Sequence, residues 1–265
     1  MDAVETMGYV GATPWHSKGN AVTDEGAMYS APLFITACGL NWEAEKRQLS
    51  RKVGTDGAYE LANAWEVVRK SDGKILADMV GERYTILQNI EAFSWFQGWL
   101  DAKEAALHTG GALFGGSRIW ALAKLNRDPM EIAAGDIVEK YVLLSHSHDG
   151  SLAIRVGFTP IRVVCHNTLS MAHKADASKL IRLKHSKNVH TNLENLKEEF
   201  KERFASRSEQ LGTVEERIKA RIEKISPSVT TGQPEENESG SANSTPESSE
   251  TPSNESESSE TNSSA

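Results

Sequence analysis

The hydrophobic positions of residues 28–190 fall into short alternating runs separated by glycine-containing turns, a pattern typical of β-hairpins. Two such runs, within residues 64–80, flank Asp72-Gly73, and Asp-Gly is a strong signal for a two-residue hairpin turn. LNWEAEKRQL and SRIWALAKL predict further strands, and GGALFGG predicts a flexible hairpin tip before the second of them. The pattern therefore predicts an α+β domain with a mainly antiparallel sheet built from hairpins.

Helical spacing interrupts this pattern at two places in the first half of the chain. Ser30 is suited to cap a short helix that ends at Gly39. Asn89 is suited to cap a second helix, whose apolar stripe we expect to pack in the core: Phe93, Phe96, Trp99 and Leu100. Trp95 lies beside this stripe, so we expect its ring to be the exposed one.

The predicted elements and the composition divide the chain into four segments. Residues 1–27 predict an N-terminal arm, residues 28–190 the α+β domain with packed helices, residues 191–225 a helical extension, and residues 226–265 a tail. The extension combines many charges with few apolar positions, which predicts helices that face solvent or a partner.

The net charge of −8 lies entirely in the tail. The tail has eight Glu and no Asp, Lys or Arg, whereas residues 1–225 contain equal numbers of acidic and basic side chains. Its Ser, Thr, Glu, Asn and Pro cannot bury enough apolar surface to offset the entropy of ordering, so we predict disorder. Three hypotheses stay open for the tail: it solubilises the chain, it mimics nucleic acid on a basic surface, or it docks a protein partner.

Polar side chains concentrate in the stretch YVLLSHSHDGSLAIRVGFTPIRVVCHNTL. A two-residue turn at Asp149-Gly150 would place Leu144 opposite Arg155 in a hairpin. Because side chains alternate across a strand, His146, His148 and Arg155 would then share one face, and the other face would be apolar.

A helix is predicted to follow this hairpin. Thr159 is a favourable N-cap and Pro160 a favourable first residue, and apolar side chains then recur with helical spacing as far as Ala172. A helix start offers unpaired N–H groups and a positive dipole end, and the most basic window of the chain, residues 173–190, comes next. These features favour an anionic ligand, with the phosphates of nucleic acid as the natural partner.

We therefore predict non-enzymatic binding of nucleic acid, most of all single-stranded DNA. The predicted contact residues are basic, imidazole or aromatic side chains: His146, His148, Arg155, Arg162, His166, Lys174, Lys179, Arg182, Lys184, Lys187 and Trp95. The arginines and lysines would hold phosphates, the histidines would donate hydrogen bonds, and Trp95 would stack on a base. The prediction includes no catalytic residue, metal ligand or cofactor.

Two alternatives stay open, since no motif in the chain fixes a reaction. A metal-dependent hydrolase or nuclease would centre on His146, His148, Asp149 and His166, because His-x-His on a strand places two imidazoles on one face. The further spaced His or Asp residues of metal hydrolases are not found with them. The other alternative is a module that binds a host factor through its helices or its tail.

The cysteine content and the apolar runs bear on the compartment. Two cysteines, Cys38 and Cys165, rule out a disulfide framework and suit a reducing cytoplasm. The first residues lack the basic and apolar regions of a signal peptide, and no apolar run has the length of a membrane span. We expect a soluble cytoplasmic protein without a membrane partner.

Three separated segments resemble a known family. GYVGATPWHSKGN, VGERYTILQNIEAF and SHDGSLAIRVGFTPIRVVCHNTL are similar, in this order, to the phage- and plasmid-borne proteins grouped as the domain of unknown function DUF932, over roughly residues 5–200. The resemblance implies a mobile-element origin, in a bacteriophage within its host's cytoplasm, and it implies no activity. The outline of hairpins plus helices is also similar to phage single-strand annealing proteins, which implies recombination and a homo-oligomer.

Overall fold

The computed structural model describes residues 3–55, 57–126, 130–133, 136–175 and 180–202. They belong to one compact unit, Met1–Gln210. The predicted acidic tail and most of the predicted helical extension lie outside the described residues. Within the described ranges, no helix combines the length and the hydropathy needed to cross a membrane.

The main sheet of the described chain has seven strands. They are β1 Val4–Tyr9, β2 Asn20–Ala21, β6 Ala105–Leu113, β7 Arg118–Leu125, β10 Tyr141–Ser147, β11 Ile154–Thr159 and β12 Ile181–Leu183. Their order across the sheet is β12-β11-β10-β7-β6-β1-β2. Neighbours are antiparallel except β1 and β2, which are parallel.

Two smaller antiparallel sheets complete the strands of the described residues. One contains β3 Ala44–Val53, β4 Ala58–Arg69 and β5 Ile75–Val80, and the other contains β8 Met130–Ala133 and β9 Asp136–Val138. The turn between β4 and β5 falls at Asp72-Gly73, where Gly73 has a φ of +71°, so the predicted hairpin is confirmed.

Short helices pack around the sheets. They are α1 Glu25–Met28, α2 Ala31–Ala37, α3 Asn89–Ser94, α4 Gln97–Asp101 and α5 His166–Ala175, together with α6 at residues 189–202. The helix predicted after Ser30 is confirmed as α2. The predicted aromatic helix is split into α3 and α4, and its N-cap is Gln88, which forms a capping box with Glu91. The α+β class with a mainly antiparallel sheet is confirmed.

The main sheet is covered on both sides. We call one side the helical face, where α2, α3, α4 and α6 supply buried Phe34, Phe93, Trp99 and Phe200 against the strands. We call the other side the α5 face, where Leu169 packs with residues of β7 and β10. Every residue of β10 is consequently buried, on both sides of the strand.

The first residues are part of the sheet. β1 pairs with β6 over most of its length, and Met7 is completely buried, so residues 4–9 form a strand where the sequence suggests an arm. Glycines account for the difference. A Cβ at Gly8 would lie 2.7 Å from Cys38 Sγ, and one at Gly111 would lie 2.3 Å from Trp120 Cη2. These glycines permit close packing, although in the sequence they resemble loop residues.

Candidate nucleic-acid interface

The register of the β10–β11 hairpin differs by one residue from the prediction. Leu144 lies opposite Val156, and Ser145 lies opposite Arg155. The connection between the strands, residues 148–153, is longer than a two-residue turn. At its start Ser147 Oγ donates to Leu152 O (3.1 Å) and accepts from Leu152 N (2.9 Å). A shift by one residue moves side chains to the opposite face. His146 and Arg155 therefore lie on different faces of the sheet, and the prediction that they share one is wrong.

His146 and His148 are completely buried. Asn89 donates its amide N–H to Leu40 O (3.1 Å), and its Oδ1 accepts from His148 Nε2 (2.9 Å). Burial, followed by the nearby His185, lowers the pKa of His148 to about 3. Burial also holds the pKa of His146 well below its usual value, with smaller contributions from His148 and His185. Both imidazoles are neutral core residues at pH 7, so neither can donate to a bound phosphate from the surface.

The residues of the metal-site alternative are not brought together. His146 and His148 have ring centroids 5.0 Å apart, whereas His166 contacts Phe114 at the rim of the α5 face. The nearest additional imidazole on the His146 side is His185, at 5.9 Å between centroids. Across the described ranges, no three His, Cys, Asp or Glu side chains are arranged so that they could hold a metal ion.

The helix predicted at Thr159 begins later in the chain. Thr159 still belongs to β11, and its Oγ1 accepts from Ile161 N (3.1 Å). α5 begins at His166, and Thr168 Oγ1 accepts the free N–H groups of Val164 and Cys165 before it. The predicted start is therefore wrong: the β-branched residues after Pro160 continue in non-helical backbone.

Two further predicted contacts serve the fold. Trp95 is 1% exposed, and its Nε1 donates to Leu193 O (3.2 Å), so the prediction of an exposed ring is wrong. α6 covers this ring, and Phe200 packs against it edge to face. Arg162 donates to Val10 O (2.8 Å) and Ala12 O (2.7 Å), which ties the N-terminal segment to the residues after β11.

Three of the predicted lysines lie on different elements from Arg155 of β11: one is on α5 and two follow β12. Lys174, Lys184 and Lys187 are exposed, the first on α5 and the others after β12. Lys179 lies outside the described residues.

Arg155 and Arg182 are brought together, and Arg118 joins them. We call these three the arginine cluster. Arg155 lies opposite Arg182 on β12, and Arg118 lies opposite Ser147 on β10, so all three side chains are on the α5 face. Arg118 Nη2 donates to Ser151 Oγ (3.1 Å). None of the three forms an ion pair with another described residue, and Asp149 acts on Arg118 only through a longer-range attraction.

The cluster changes the electrostatics of its neighbours. Partial burial, followed by repulsion from Arg182 and Arg118, lowers the pKa of Arg155, although an arginine stays charged at neutral pH. His173 of α5 shares a hydrogen bond of 2.9 Å with Ser145 Oγ. Burial, followed by Arg155, Arg118 and Arg182, lowers the pKa of His173 to about 4. Three positive charges without an ion pair to another described residue therefore lie near one another on the α5 face, beside a neutral imidazole.

Sequence reasoning missed Arg118 and His173. Arg118 opens the predicted strand SRIWALAKL, but its place beside Arg155 follows from the order of β7, β10 and β11 in the sheet. No local pattern in the sequence encodes that order. His173 belongs to the basic window, and its contact with Ser145 depends on the packing of α5 against the sheet.

Comparison with known proteins identifies the family and nothing finer. The profile of a domain of unknown function, DUF932, matches residues 77–242, which is more than half of the chain and includes the arginine cluster. The match begins later and ends later than the predicted range, so it omits GYVGATPWHSKGN and extends past residue 200. No curated protein and no solved structure matches the chain significantly. The chain belongs to the DUF932 family.

Proposed function

We propose that this protein binds single-stranded nucleic acid by holding its phosphates at the arginine cluster. One observation carries the proposal: Arg118, Arg155 and Arg182 share one sheet face without an ion-pair partner among the described residues. Guanidinium groups without a carboxylate partner are suited to bidentate contacts with phosphate oxygens. A bound polyanion would relieve the repulsion between them.

The spacing of the cluster supports a chain of phosphates. The three arginines come from β7, β11 and β12, and β10 lies between the first two. At the usual separation of strands, this distance across the sheet is roughly 14 Å. Successive phosphates of one strand can follow side chains that start from backbone positions this far apart. Contacts of this kind are independent of sequence and sensitive to salt.

We place this binding in the replication or recombination of a mobile element, in the cytoplasm of its host. The DUF932 resemblance supports the mobile-element origin, and recombination and self-association are proposed by analogy with single-strand annealing proteins. The proposal requires no catalytic group and no cofactor.

Fluorescence anisotropy with a labelled single-stranded oligonucleotide of about 20 nucleotides tests the proposal. We expect Arg155→Gln with Arg182→Gln to weaken binding by about tenfold or more, since two charge-assisted contacts are lost. Arg47→Gln with Arg51→Gln is the matched control, because both arginines are exposed on β3 of the other sheet. Failure of the unmodified protein to bind at low salt, or equal weakening in both double variants, would contradict the proposal.

A further inference from the structure

An aromatic ring stands exposed beside the arginine cluster. Phe114 is the first residue of a short 3₁₀ turn, Phe114–Gly116, between β6 and β7. Its side chain is 47% exposed, and its backbone has a φ of +53°. A bulky side chain rarely adopts a positive φ, and such strain persists only where the surrounding structure enforces it.

The contacts that hold this turn involve its backbone. Phe114 N donates to Ala3 O (2.9 Å), and Arg69 Nη2 donates to Gly115 O (3.3 Å). Gly116 has a φ of +94°, and a Cβ there would lie 2.4 Å from Arg69 Nη2. Backbone contacts thus hold the turn that carries this half-exposed ring.

Two side chains of the α5 face flank the ring. The Arg118 guanidinium carbon lies 5.0 Å from the ring centroid, and the His166 ring lies 5.0 Å away, edge to face. Because Arg118 belongs to the arginine cluster, the exposed aromatic surface adjoins the proposed phosphate contacts. An aromatic face next to a row of guanidinium groups is the combination that binds single strands in general.

We propose that Phe114 is a stacking platform for an unpaired base and makes the arginine cluster selective for single strands over duplexes. This inference rests on the proposed function. A base within a duplex is stacked on both sides and offers no free face, whereas a base of a single strand can lie on the ring while its neighbouring phosphates contact Arg118 and Arg155. Phe114 would be a specificity-determining residue, and the arginines would supply the sequence-independent grip.

The test compares Phe114→Leu with Phe114→Trp. Leu keeps an apolar side chain but removes the π surface, and Trp keeps that surface, so it serves as the rescue variant. The probes are a labelled single strand, a duplex of the same length, and a single strand of the same length with abasic sites throughout. We expect Phe114→Leu to weaken single-strand binding by roughly 5- to 100-fold, as loss of one stacked base would. We expect Phe114→Trp to restore single-strand binding. For the duplex, and likewise for the abasic strand, we expect the unmodified protein, Phe114→Leu and Phe114→Trp to have the same affinity.

The possible results separate the inference from the proposed function. If Phe114→Leu binds the single strand as tightly as the unmodified protein, while Arg155→Gln with Arg182→Gln still weakens binding, the stacking role is overturned and the phosphate contacts stand. Equal weakening of Phe114→Leu on single-strand, duplex and abasic probes would also overturn stacking, because it indicates a distorted turn. If the unmodified protein binds none of the three probes, both the stacking role of Phe114 and the proposed function are overturned.

Discussion

At the scale of single residues, buried imidazoles make the stability of the fold depend on pH. His146 and His148 have no exposed surface, and their ring centroids are 5.0 Å apart. Burial lowers the pKa of both, and it also lowers the pKa of His185, with the Thr85 backbone opposing that shift. Protonating them in the folded state would place positive charges close together in the core, and the attraction of Asp149 for His148 and His185 only partly offsets the cost of burial.

These shifts predict a loss of stability in mild acid. Each folded pKa is below the ordinary value of 6.5, so the unfolded chain takes up protons first as the pH falls. The free energy of unfolding therefore decreases below about pH 6.5, and for His148 it continues to decrease down to its folded pKa of about 3.

The substitution His146→Leu removes one of the groups that take up a proton when the chain unfolds in mild acid. We expect its free energy of unfolding to fall less steeply between pH 6 and pH 5, by roughly 1 kcal/mol per pH unit. Urea unfolding of both proteins at pH 7, 6 and 5 measures this difference. Parallel pH profiles would show that His146 titrates alike in the folded and unfolded states.

At the scale of elements, the pairing of β11 with β12 creates the positive charge of the interface. It sets Arg155 directly opposite Arg182, and like charges in that position on neighbouring strands are destabilising. β12 is an edge strand of three residues, and Arg182 is exposed, which limits the repulsion because water screens it. Such a pairing is costly for the fold and useful for holding an anion.

Arg182→Glu should therefore have opposite effects on stability and on binding. The substitution places opposite charges across the two strands, so we expect a gain of about 0.2–1 kcal/mol in the free energy of unfolding. It also removes one phosphate contact and introduces repulsion, so oligonucleotide affinity should fall by at least about tenfold. Urea midpoints and anisotropy on the same preparations measure both quantities.

Arg182→Gln is the matched control for that variant. It should be intermediate in both quantities, since it removes the positive charge without adding a negative one. Unchanged oligonucleotide affinity in Arg182→Glu would exclude this side chain from the interface. A lower urea midpoint would contradict the repulsion between Arg155 and Arg182.

Local patterns in the sequence predicted elements well and their mutual placement poorly. The Asp72-Gly73 turn and the buried stripe of Phe93, Phe96 and Trp99 are confirmed, because each depends on spacing within a short segment. The register of β10 and β11 could not be predicted in this way. β10 is buried on both faces, so its side chains carry no alternation that distinguishes one register from the next.

The candidate site shows the same limit. Arg182 was predicted from the basic composition of residues 173–190, and Arg155 from a hairpin register that the structure shifts by one residue. Arg118 required the order of strands in the sheet, and burial of Trp95 required α6, whose Leu193 carbonyl is 98 positions away along the chain. Long-range packing of this kind leaves no periodic signal in a single sequence.

At the scale of the whole molecule, the two faces of the main sheet differ in charge: the helical face is neutral, and the α5 face carries the arginines. The helical face buries aromatic side chains together with His146 of β10 and the nearby His148, and the α5 face carries the arginine cluster and the exposed ring of Phe114. Residues 1–225 contain equal numbers of acidic and basic side chains, so attraction to a polyanion must come from this local arrangement. Binding of a polyanion to this surface therefore depends on those arginines contacting phosphates.

The salt dependence of oligonucleotide binding tests that claim most directly. Neutralising phosphates releases counter-ions, so for single strands the logarithm of the binding constant should fall with the logarithm of salt concentration with a slope of about 0.7 per phosphate, or about 2 for three arginines. The slope should be smaller by about 1.4 in Arg155→Gln with Arg182→Gln. Phe114→Leu should have the same slope as the unmodified protein. Binding whose slope is the same in the unmodified protein and in the arginine double variant would contradict the account.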